Sequence, residues 1–435
     1  MKKTFYIETY GCQMNFSDSE IVASILIKEN FEQAATPEQA GLILLNTCSI
    51  RDNAEQRIFN RLRHLKSLKK KNKGLLVGIL GCMAERIKEK LFEEDIVDIV
   101  AGPDSYRELP QLIYSANERG KAFNILLSAE ETYADINPVR IDSNGVSAFI
   151  SIMRGCQNFC AYCVVPYTRG TERSRSAETI ISEANALFNE GYREITLLGQ
   201  NVNSYHYNNV NFPELLSEVA RINPALRIRF ATSHPKDLSD ELIDVIASHD
   251  NICKSIHLPL QSGSNRILKL MKRNYTRESY LAIIDKIYKK IPGCSISTDI
   301  ICGFCSETEQ DHTDTIELMR QAAYDSAFMF RYSERPGTFA AGKYKDDVPD
   351  EIKTQRLNEV IALQNKLSLE KNKKDVGKTF EVLIEGRSKK SAAQLSGRNS
   401  QNKVVVFTDD KHKAGDYVIV KIIACTSATL KGEII

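Results

Sequence analysis

The chain has 435 residues and a mass of 49.0 kDa. This length exceeds what a single hydrophobic core usually organises, which excludes a single small binding module. Hydrophobic residues make up 42% and charged residues 26%, a composition that excludes a disordered, collagen-like or membrane-embedded chain. The 58 basic and 56 acidic residues leave a formal charge of only +2, so any nucleic-acid partner would have to be held by a local basic patch.

The amino-terminal segment MKKTFYIETYGC has a glutamate at position 8 and lacks the apolar stretch of a signal peptide. Apolar runs such as LILL and LLVGIL are far shorter than the ~20 residues that span a bilayer. We therefore expect a cytoplasmic protein with no membrane partner. Because the cytoplasm is reducing, the 11 cysteines are not expected to form structural disulfides, and their spacing points instead to metal or redox chemistry.

Residues 1–120 are predicted to form a doubly wound parallel α/β domain. The apolar runs TFYIETY, LILLNT and LLVGIL alternate with helix-period segments, from Ser19 to Lys28 and from Asn53 to Lys71. Residues 121–145 are interpreted as a linker, because the stretch SAEETYADINPVRIDSNGV, which begins at Ser128, is polar and has no sustained period.

Residues 146–374 are predicted to form a partial TIM-like (β/α)6 barrel. Its strands are read from AFISIMRG, REITLLGQ, RIRFATS, KSIHLPL, CSISTDIICGF and DSAFMFRYS, with amphipathic helical stretches between them. A charged helical segment then leads to residues 375–435, where TFEVLIEG, KVVVF and DYVIVKIIA alternate like the strands of a small antiparallel β-barrel.

A C-x-x-x-C-x-x-C motif follows the first predicted barrel strand, in the segment MRGCQNFCAYCVVPY. Its members, Cys156, Cys160 and Cys163, can each bind a different iron of a 4Fe-4S cluster and leave the fourth iron open to another ligand. The position supports this interpretation, because barrel enzymes place their chemistry at the carboxyl ends of strands. A structural zinc site would need a fourth ligand at paired spacing, and none follows.

Three more cysteines end successive strand-like runs of the first domain. Cys12, Cys48 and Cys82 are 36 and 34 residues apart, about one strand, one helix and a return. In a parallel sheet these positions meet at the carboxyl edge, where open α/β domains bind ligands. Any one of them could be an ordinary buried cysteine, but together they predict a second three-thiolate site.

The cysteine loop resembles that of the radical S-adenosylmethionine (SAM) superfamily, including the aromatic Tyr162. Nearly end to end, the chain resembles the methylthiotransferases of the MiaB type. The matching blocks are YGCQMN, NTCSIR, GCMAER, MRGCQNFCAYCVVPYTRGTERSR, LLGQNVNSY, TSHP, HLPLQSGS, RPGT and LSGR. The resemblance implies an auxiliary 4Fe-4S cluster on Cys12, Cys48 and Cys82, a radical SAM core with its own cluster, and a C-terminal TRAM domain that helps to hold tRNA.

The resemblance also implies a reaction. One SAM donates a methyl group to a sulfur associated with the auxiliary cluster. A second SAM is cleaved to a 5′-deoxyadenosyl radical, which takes hydrogen from C2 of N6-isopentenyladenosine next to the tRNA anticodon, where the methylthio group is delivered. The implied partners are the anticodon stem-loop, an electron donor of low potential and the iron–sulfur assembly machinery.

SAM must be held by polar groups at successive strand ends. The candidates are Gln200, Asn201, Ser233, Gln261, Arg273 and Asp299. Arg273 is the candidate for the SAM carboxylate. Three of them, Gln261, Arg273 and Asp299, resemble cofactor-contacting positions of radical SAM enzymes such as the oxygen-independent coproporphyrinogen oxidase. The alternative for each candidate is a structural polar residue.

One family block departs from its usual form GFPGE and reads Gly303-Phe304-Cys305-Ser306-Glu307. With Cys302 it creates a local C-x-x-C, a spacing that can mark a redox or zinc pair. We expect Cys302 to pack into the barrel wall and Cys305 to replace a turn proline. The three cysteines without sequence partners are also interpreted as structural: Cys253, Cys294 and Cys425.

Three basic groups are candidate tRNA contacts. The first could neutralise phosphates or form a solvated helix face. Residues 51–73 contain only two acidic residues, Asp52 and Glu55, against nine basic ones: Arg51, Arg57, Arg61, Arg63, Lys66, Lys69, Lys70, Lys71 and Lys73. The second lies on the predicted C-terminal barrel, a fold type that often binds looped RNA: Arg387, Lys389, Lys390, Arg398 and Lys403. The third follows the cysteine loop, where a nucleotide would enter: Arg169, Arg173 and Arg175.

The sequence leaves two other functions open. A methylthiotransferase of the same family could act on threonylcarbamoyl-adenosine in tRNA or on an aspartate of a ribosomal protein, although YGCQMN, NTCSIR and LLGQNVNSY favour the isopentenyladenosine branch. A protein of another class, a non-catalytic iron–sulfur scaffold that binds RNA, would hold iron and sulfide without cleaving SAM.

Overall fold

The structure is a computed structural model and describes residues 3–49, 52–141, 144–389 and 391–435. It divides into two compact units. The first holds residues 3–141 as described, with 151–159 and 163–179, and the second holds 144–150, 160–162 and 180–435 as described. The predicted C-terminal domain therefore shares a unit with the predicted barrel.

The strands are β1 (Thr4–Tyr10), β2 (Glu32–Gln33), β3 (Leu42–Thr47), β4 (Leu76–Gly81), β5 (Ile99–Ala101), β6 (Ala122–Asn124), β7 (Ser147–Ser151), β8 (Met153–Arg154), β9 (Arg173–Ser174), β10 (Glu194–Leu198), β11 (His206–Tyr207), β12 (Val210–Asn211), β13 (Arg227–Ala231), β14 (Ser255–His257), β15 (Ser295–Cys302), β16 (Ser326–Arg331), β17 (Thr379–Ser388), β18 (Ser391–Asn399), β19 (Val404–Thr408), β20 (Tyr417–Cys425) and β21 (Leu430–Ile434).

The α-helices are α1 (Gln13–Lys28), α2 (Asp52–Lys71), α3 (Cys82–Arg86), α4 (Lys88–Glu93), α5 (Leu109–Arg119), α6 (Val165–Arg169), α7 (Ala177–Asn189), α8 (Phe212–Ala220), α9 (Asp240–Ser248), α10 (Asn265–Leu270), α11 (Arg277–Lys290), α12 (Glu309–Ala322), α13 (Phe339–Lys343) and α14 (Asp350–Lys373). None of these helices, within the residues described, is both long and apolar enough to cross a membrane.

The first unit is built on a six-stranded sheet in the order β2-β1-β3-β4-β5-β6, with every pair parallel. Every residue of β3 and β4 is buried, as continuous apolar runs predict for parallel strands covered on both faces. Separate apolar clusters form the core of this unit. The expected doubly wound parallel α/β fold is confirmed here.

The interpretation of residues 121–145 as a linker needs a correction. Strand β6 lies within that range and pairs with β5, with Ala122 opposite Ile99. Tyr133 is buried in the core of the first unit, and Arg140 forms an ion pair with Glu20 at 2.7 Å. The polar composition hid these few anchoring residues, so part of the range belongs to the first unit.

The six strands predicted for the barrel are present in the second unit, and β10 with β13, β14 with β15, and β15 with β16 pair in parallel. They form two three-stranded sheets, β13-β10-β7 and β14-β15-β16. An isolated parallel bridge joins Ile228 of β13 to Ile252, which precedes β14 in the sequence. Helices α7 to α12 alternate with the strands. The fold is a partial (β/α)6 barrel, as expected.

The C-terminal strands close into a barrel in the order β17-β18-β19-β21-β20. Its interior is filled by aliphatic side chains and Phe407. Four pairings are antiparallel, as predicted, but β19 and β21 pair in parallel, with Val405 opposite Leu430. Gly397 is required at a close strand contact, because a Cβ there would lie 2.2 Å from the Leu383 carbonyl oxygen.

Two buried arginines on β13 join this barrel to the rest of the second unit. Arg227 donates to the carbonyl oxygen of Arg398 at 2.7 Å, and Arg229 donates to that of Asn399 at 2.9 Å. Arg229 also donates through Nε to Glu194 at 2.8 Å. Main-chain oxygens at the end of β18, together with the Glu381 carboxylate, which accepts from Arg227 at 3.0 Å, therefore hold the two parts of the unit together.

We expect R229M to lower the free energy of unfolding by about 3 kcal/mol, because removing one partner of a buried ion pair leaves the other charge unpaired. Urea-induced unfolding followed by circular dichroism measures the change. The matched control is R221M, since Arg221 pairs with Glu218 on an exposed helix surface and its loss should change stability by less than about 0.5 kcal/mol. Equal effects of the two variants would contradict this role for Arg229.

Candidate functional site

The parallel register of the first sheet brings three predicted ligands to one edge. Tyr10 lies opposite Thr47, and Thr47 lies opposite Gly81. Cys48 and Cys82 follow these paired residues directly, and Cys12 follows after one glycine. Three cysteines that are distant in sequence therefore leave the same end of adjacent strands, as the spacing predicted.

Two glycines allow the chain to turn at this edge. Gly11 has φ +135°, and a Cβ there would lie 2.3 Å from the Cβ of Cys48. Gly81 has φ +86°, and a Cβ there would lie 2.5 Å from the side-chain oxygen of Asn46. Any larger residue would push the cysteine-bearing segments apart, so the sequence permits a close approach here that only glycine supports.

Neighbouring thiols and one arginine shift the pKa values of cysteines at this edge. A hydrogen bond with Cys48 lowers the pKa of Cys12 to about 6, against the effect of burial and with help from the charge of Arg169. Burial raises the pKa of Cys82, which the charge of Arg169 opposes. Arg169 Nε donates to the Cys82 sulfur at 3.2 Å. A cationic donor beside thiols favours the thiolate form that binds metals.

Behind these thiols lies a group of five buried ionic side chains, which we call the Asp18 cluster. Asp18 accepts from Arg154 Nη1 and from Arg169 Nη2, each at 2.7 Å. Asp104 accepts from Arg173 Nη2 at 2.9 and 3.0 Å and lies 3.6 Å from Arg154 Nε. Burial raises the pKa of Asp18, but the attraction of Arg154 and Arg169 outweighs this and leaves it below its ordinary value.

This arrangement corrects the interpretation of three basic residues as nucleotide contacts. Arg169, Arg173 and Arg175 are 3%, 6% and 5% exposed, so they do not offer a surface to RNA. The first two belong to the Asp18 cluster. Arg175 donates to the hydroxyl and the carbonyl oxygen of Thr179, both at 3.1 Å. Their acidic and carbonyl partners draw them inward, because an unpaired buried guanidinium would be costly.

The edge presents three cysteine thiols beside one buried guanidinium donor. No group of three His, Cys, Asp or Glu side chains that could hold one metal ion occurs in the part of the chain that the structure describes. A cubane cluster needs wider spacing, because each thiolate binds a different iron. Arg169 Nη1 is buried without a hydrogen-bond partner among the described residues, which suits a pocket for an anionic group.

The C-x-x-x-C-x-x-C loop lies between β8 and β9 in the chain. In the first unit, Cys156 donates its amide to the carbonyl oxygen of Gly170 at 3.1 Å. Gly155 has φ +78°, and a Cβ there would lie 1.9 Å from the carbonyl oxygen of Thr171. The beginning of the loop is therefore fixed by main-chain contacts. Cys156 and Cys163 are both partly accessible.

Arg273 contacts a predicted cluster ligand in the second unit. Its Nη1 donates to the sulfur of Cys160 at 3.2 Å, its Nε to the Tyr275 hydroxyl at 2.9 Å, and its Nη2 to the Pro259 carbonyl oxygen at 3.1 Å. Arg273 is 4% exposed. The structure therefore places this predicted SAM-carboxylate contact against a cysteine sulfur, with protein partners at three of its nitrogens.

Polar atoms at two neighbouring strand ends of the second unit are buried without hydrogen-bond partners among the residues described. They are Gln200 Oε1, Asn201 Oδ1, Ser233 Oγ and both side-chain polar atoms of Asn203. The two segments are linked, since the Val202 amide donates to the Thr232 carbonyl oxygen at 3.0 Å. Because native proteins rarely bury unsatisfied polar atoms, this edge suits a polar ligand.

The other two SAM candidates lie on the next strands. Gln261 is buried with φ +73°, and its amide donates to the Asp299 carbonyl oxygen at 2.8 Å. The Asp299 carboxylate lies 3.5 Å from His257 Nε2, and His257 Nδ1 is 3.0 Å from the Ser297 hydroxyl. Gln200, Asn201 and Ser233 follow the ends of β10 and β13, whereas Asp299 lies within β15 and Arg273 follows α10. The role of all six candidates in SAM binding stays a prediction.

Sequence reasoning missed several buried residues near these sites. Asp18 and Arg154 were not singled out, although each is close in sequence to a candidate cysteine. Burial, with the charges of Arg273 and Lys236, lowers the pKa of His234 to about 2, so its ring is neutral at physiological pH. The signal for His234 was its place directly after Ser233 in the TSHP block.

The remaining cysteines lie where structural residues are expected. Cys302 and Cys305 are each 2% exposed, and burial raises the pKa of both thiols. Cys253 and Cys294 are buried as well, while Cys425 is partly accessible and packs against the core of the C-terminal barrel.

The predicted basic surfaces are only partly available. In α2, Arg61 is paired with Glu8 and Lys69 with Asp98. The exposed members of the first basic group are Arg57, Arg63, Lys66, Lys70 and Lys71 in α2, and Lys73 after it. In the C-terminal barrel, Lys403 pairs with Asp375 at 2.8 Å and Asp325 at 3.1 Å, and Arg398 pairs with Glu385 at 3.0 Å, while Arg387 and Lys389 are exposed. The predicted contacts Arg51 and Lys390 lie outside the described residues.

Three family models match successive parts of the chain. Residues 4–102 match "Uncharacterized protein family UPF0004", residues 150–319 match the radical SAM superfamily, and residues 373–435 match the TRAM domain.

Curated proteins named tRNA-2-methylthio-N(6)-dimethylallyladenosine synthase match over the whole chain. The protein of Bacteroides fragilis is 57% identical over 436 aligned residues, which cover 99% of this chain and 95% of the relative. The protein of Chloroherpeton thalassium is 58% identical over 435 aligned residues, which cover 99% and 96%.

Solved structures share the fold at low identity. The radical S-adenosylmethionine methyltransferase TsrM from Kitasatospora setae, with cobalamin and a [4Fe-4S] cluster bound, gives a TM-score of 0.59 at 13% identity and covers 78% of this chain and 77% of its own. The cobalamin-dependent S-adenosylmethionine radical enzyme OxsB gives 0.54 at 14% identity and covers 83% and 56%.

We expect the stability of the iron-free protein to depend on Glu85, which follows Cys82 by one helical turn. Its Oε2 is buried without a hydrogen-bond partner among the described residues, and burial, with a smaller contribution from Asp104 against that of Lys88, raises its pKa from 4.5 to about 7. A raised carboxyl pKa stabilises the fold below pH ~4.5, and this contribution is lost as the pH rises through ~7.

Urea unfolding of the parent and E85Q, measured from pH 5 to pH 8 at constant ionic strength, checks this expectation. The parent should lose unfolding free energy relative to E85Q as the pH rises, since the amide cannot ionise. Parallel pH profiles for the two proteins would show that Glu85 does not titrate in this window.

Proposed function

Because the chain belongs to the family of tRNA-2-methylthio-N(6)-dimethylallyladenosine synthases, we propose that it places a methylthio group on C2 of N6-isopentenyladenosine next to the tRNA anticodon. The observation that carries this proposal is the identity of 57–58% over 99% of the chain to proteins of that name. The radical SAM match over residues 150–319 supports the reaction class.

Clusters and SAM, when bound, supply one-electron chemistry at an unactivated C–H bond, a methyl group and the transferred sulfur. The chain contributes ligands, placement and exclusion of water. One SAM as methyl donor and a second as radical source is the stoichiometry we propose.

We propose two three-thiolate sites. Cys12, Cys48 and Cys82 would hold the auxiliary 4Fe-4S cluster, and the support is their common edge, the two glycine turns and the neighbouring Arg169 donor. Cys156, Cys160 and Cys163 would hold the cluster that binds SAM, and the support is their spacing within the radical SAM match.

We propose that SAM is held in the second unit by Gln200, Asn201, Ser233, Gln261 and Asp299. The unsatisfied polar atoms of the first three supply donors and acceptors for its amino acid and ribose groups. Arg273 would act mainly through Cys160, because its guanidinium already donates to that sulfur and to two oxygens.

The TRAM domain, which matches residues 373–435, supports tRNA as the macromolecular partner. The exposed Arg387 and Lys389 are the side chains of that domain that we propose for phosphate contact. An electron donor of low potential, the iron–sulfur assembly machinery and a cytoplasmic location belong to the same proposal, because a reduced cluster and a tRNA substrate require them.

Replacing single cysteines should separate the two halves of the reaction. After anaerobic reconstitution, we expect C156A to form no 5′-deoxyadenosine from SAM under a low-potential reductant, because it lacks a ligand of the SAM-binding cluster. C48A should still form 5′-deoxyadenosine but give no methylthiolated tRNA. The readouts are chromatography of 5′-deoxyadenosine and mass spectrometry of the tRNA.

C425A is the matched control, since Cys425 lies on the C-terminal barrel, and it should retain both activities. Iron should fall from about eight per chain to about four when Cys156, Cys160 and Cys163 are all replaced by alanine. Formation of 5′-deoxyadenosine by C156A would refute the radical half, and methylthiolation by C48A would refute the sulfur half. A parent protein that holds iron but never cleaves SAM would be a scaffold.

Nucleoside analysis of tRNA identifies the target. In cells that lack this chain we expect 2-methylthio-N6-isopentenyladenosine to disappear and N6-isopentenyladenosine to accumulate, with restoration by the parent gene and not by C48A. Loss of a methylthio group from threonylcarbamoyl-adenosine, or from a ribosomal-protein aspartate, would assign the chain to the other branches.

A further inference from the structure

Arg169 occupies an unusual position for a buried arginine. Its side chain is 3% exposed, its Nε donates to the sulfur of Cys82 at 3.2 Å, and its Nη2 donates to Asp18 at 2.7 Å. Its Nη1 has no hydrogen-bond partner in the described part of the chain. One nitrogen of the Arg169 guanidinium thus donates to the Asp18 carboxylate, and a second donates to the Cys82 sulfur.

The charges of the Asp18 cluster do not balance. Three guanidiniums, those of Arg154, Arg169 and Arg173, face two carboxylates, those of Asp18 and Asp104. All five side chains are nine-tenths or more buried. A buried cationic excess is costly unless an anion lies beside it. In this cluster, Arg169 is the arginine that contacts a cysteine.

An iron–sulfur cluster supplies the missing negative charge. A four-iron cluster with three thiolate ligands is an anion overall, and hydrogen bonds to its sulfurs, together with nearby charge, set its reduction potential. Asp18 fixes the guanidinium so that Nε points to Cys82. The arginine therefore provides both a donor to a ligand sulfur and an uncompensated positive charge.

On this basis we propose that Arg169 is the counter-ion and potential-setting residue of the auxiliary cluster, positioned by Asp18 and acting through the sulfur of Cys82. The inference rests on the proposed ligation by Cys12, Cys48 and Cys82. Arg169 is a positioning residue, since it acts on the cluster through a ligand. Its positive charge and its N–H···S hydrogen bond to Cys82 stabilise the reduced, more negative state of the cluster and raise the midpoint potential.

The test uses the full chain in which Cys156, Cys160 and Cys163 are alanine, so that only the auxiliary cluster is reconstituted. The variants R169M and R169K are added to this background. R175M is the matched control, because Arg175 is similarly buried in the same unit and donates to Thr179 and to the Ser151 carbonyl oxygen. The readouts are iron per chain, circular dichroism and the midpoint potential from an EPR-monitored titration.

We expect R169M to shift the midpoint potential to a lower value, R169K to shift it less, and R175M to leave it near the parent value. Failure of R169M to retain iron, with a native circular dichroism spectrum and with iron retained by R175M, would also support the counter-ion role. If R169M does not fold, the midpoint potential of R169K alone tests the proposal.

An unchanged potential in folded, iron-loaded R169M and R169K, or an equal shift in R175M, would overturn the inference while leaving the auxiliary cluster intact. A triple-alanine background that binds no iron would instead overturn the proposed ligation by Cys12, Cys48 and Cys82. The two failures are therefore distinguishable.

Discussion

The parallel register of β1, β3 and β4 is the constraint on which the candidate chemistry depends. It aligns the last residues of three strands, so that cysteines spread over about 70 residues of sequence leave one sheet edge. The register is itself fixed by burial, because both faces of β3 and β4 are covered and a slip of one residue would exchange the faces of every side chain.

Buried ion pairs connect distant segments of the first unit. The segment that carries the radical SAM motif also supplies Arg154, Arg169 and Arg173, which meet acids from the first sheet domain. Ionic groups buried this deeply are tolerated only when paired with good geometry. The first unit therefore joins, by ion pairs, stretches of chain that a division by sequence alone would assign to different domains.

Strand periodicity and cysteine spacing were sufficient to predict the three folds and the common edge of Cys12, Cys48 and Cys82. They were not sufficient for the arginines. Arg169 finds its acid 151 residues away, Arg173 finds its acid 69 residues away, and Arg273 meets a cysteine at a distance of 113 residues. A basic side chain looks the same in sequence whether it faces solvent or a buried carboxylate, so its partner is settled only by tertiary structure. The short strand β6 was not predicted, because three residues are too few to show a strand periodicity.

The attachment of the C-terminal barrel has a consequence for how that domain can diverge. Arg227 and Arg229 grip carbonyl oxygens of Arg398, Asn399 and Ser400, and every amino acid has such an oxygen. For these arginine contacts, the side chains of residues 398–400 matter less than the length of the segment, although the Ser400 hydroxyl also accepts from the Lys254 amide at 2.9 Å. A substitution that keeps the backbone path keeps these carbonyl acceptors in place, whereas an insertion or deletion would move them out of reach.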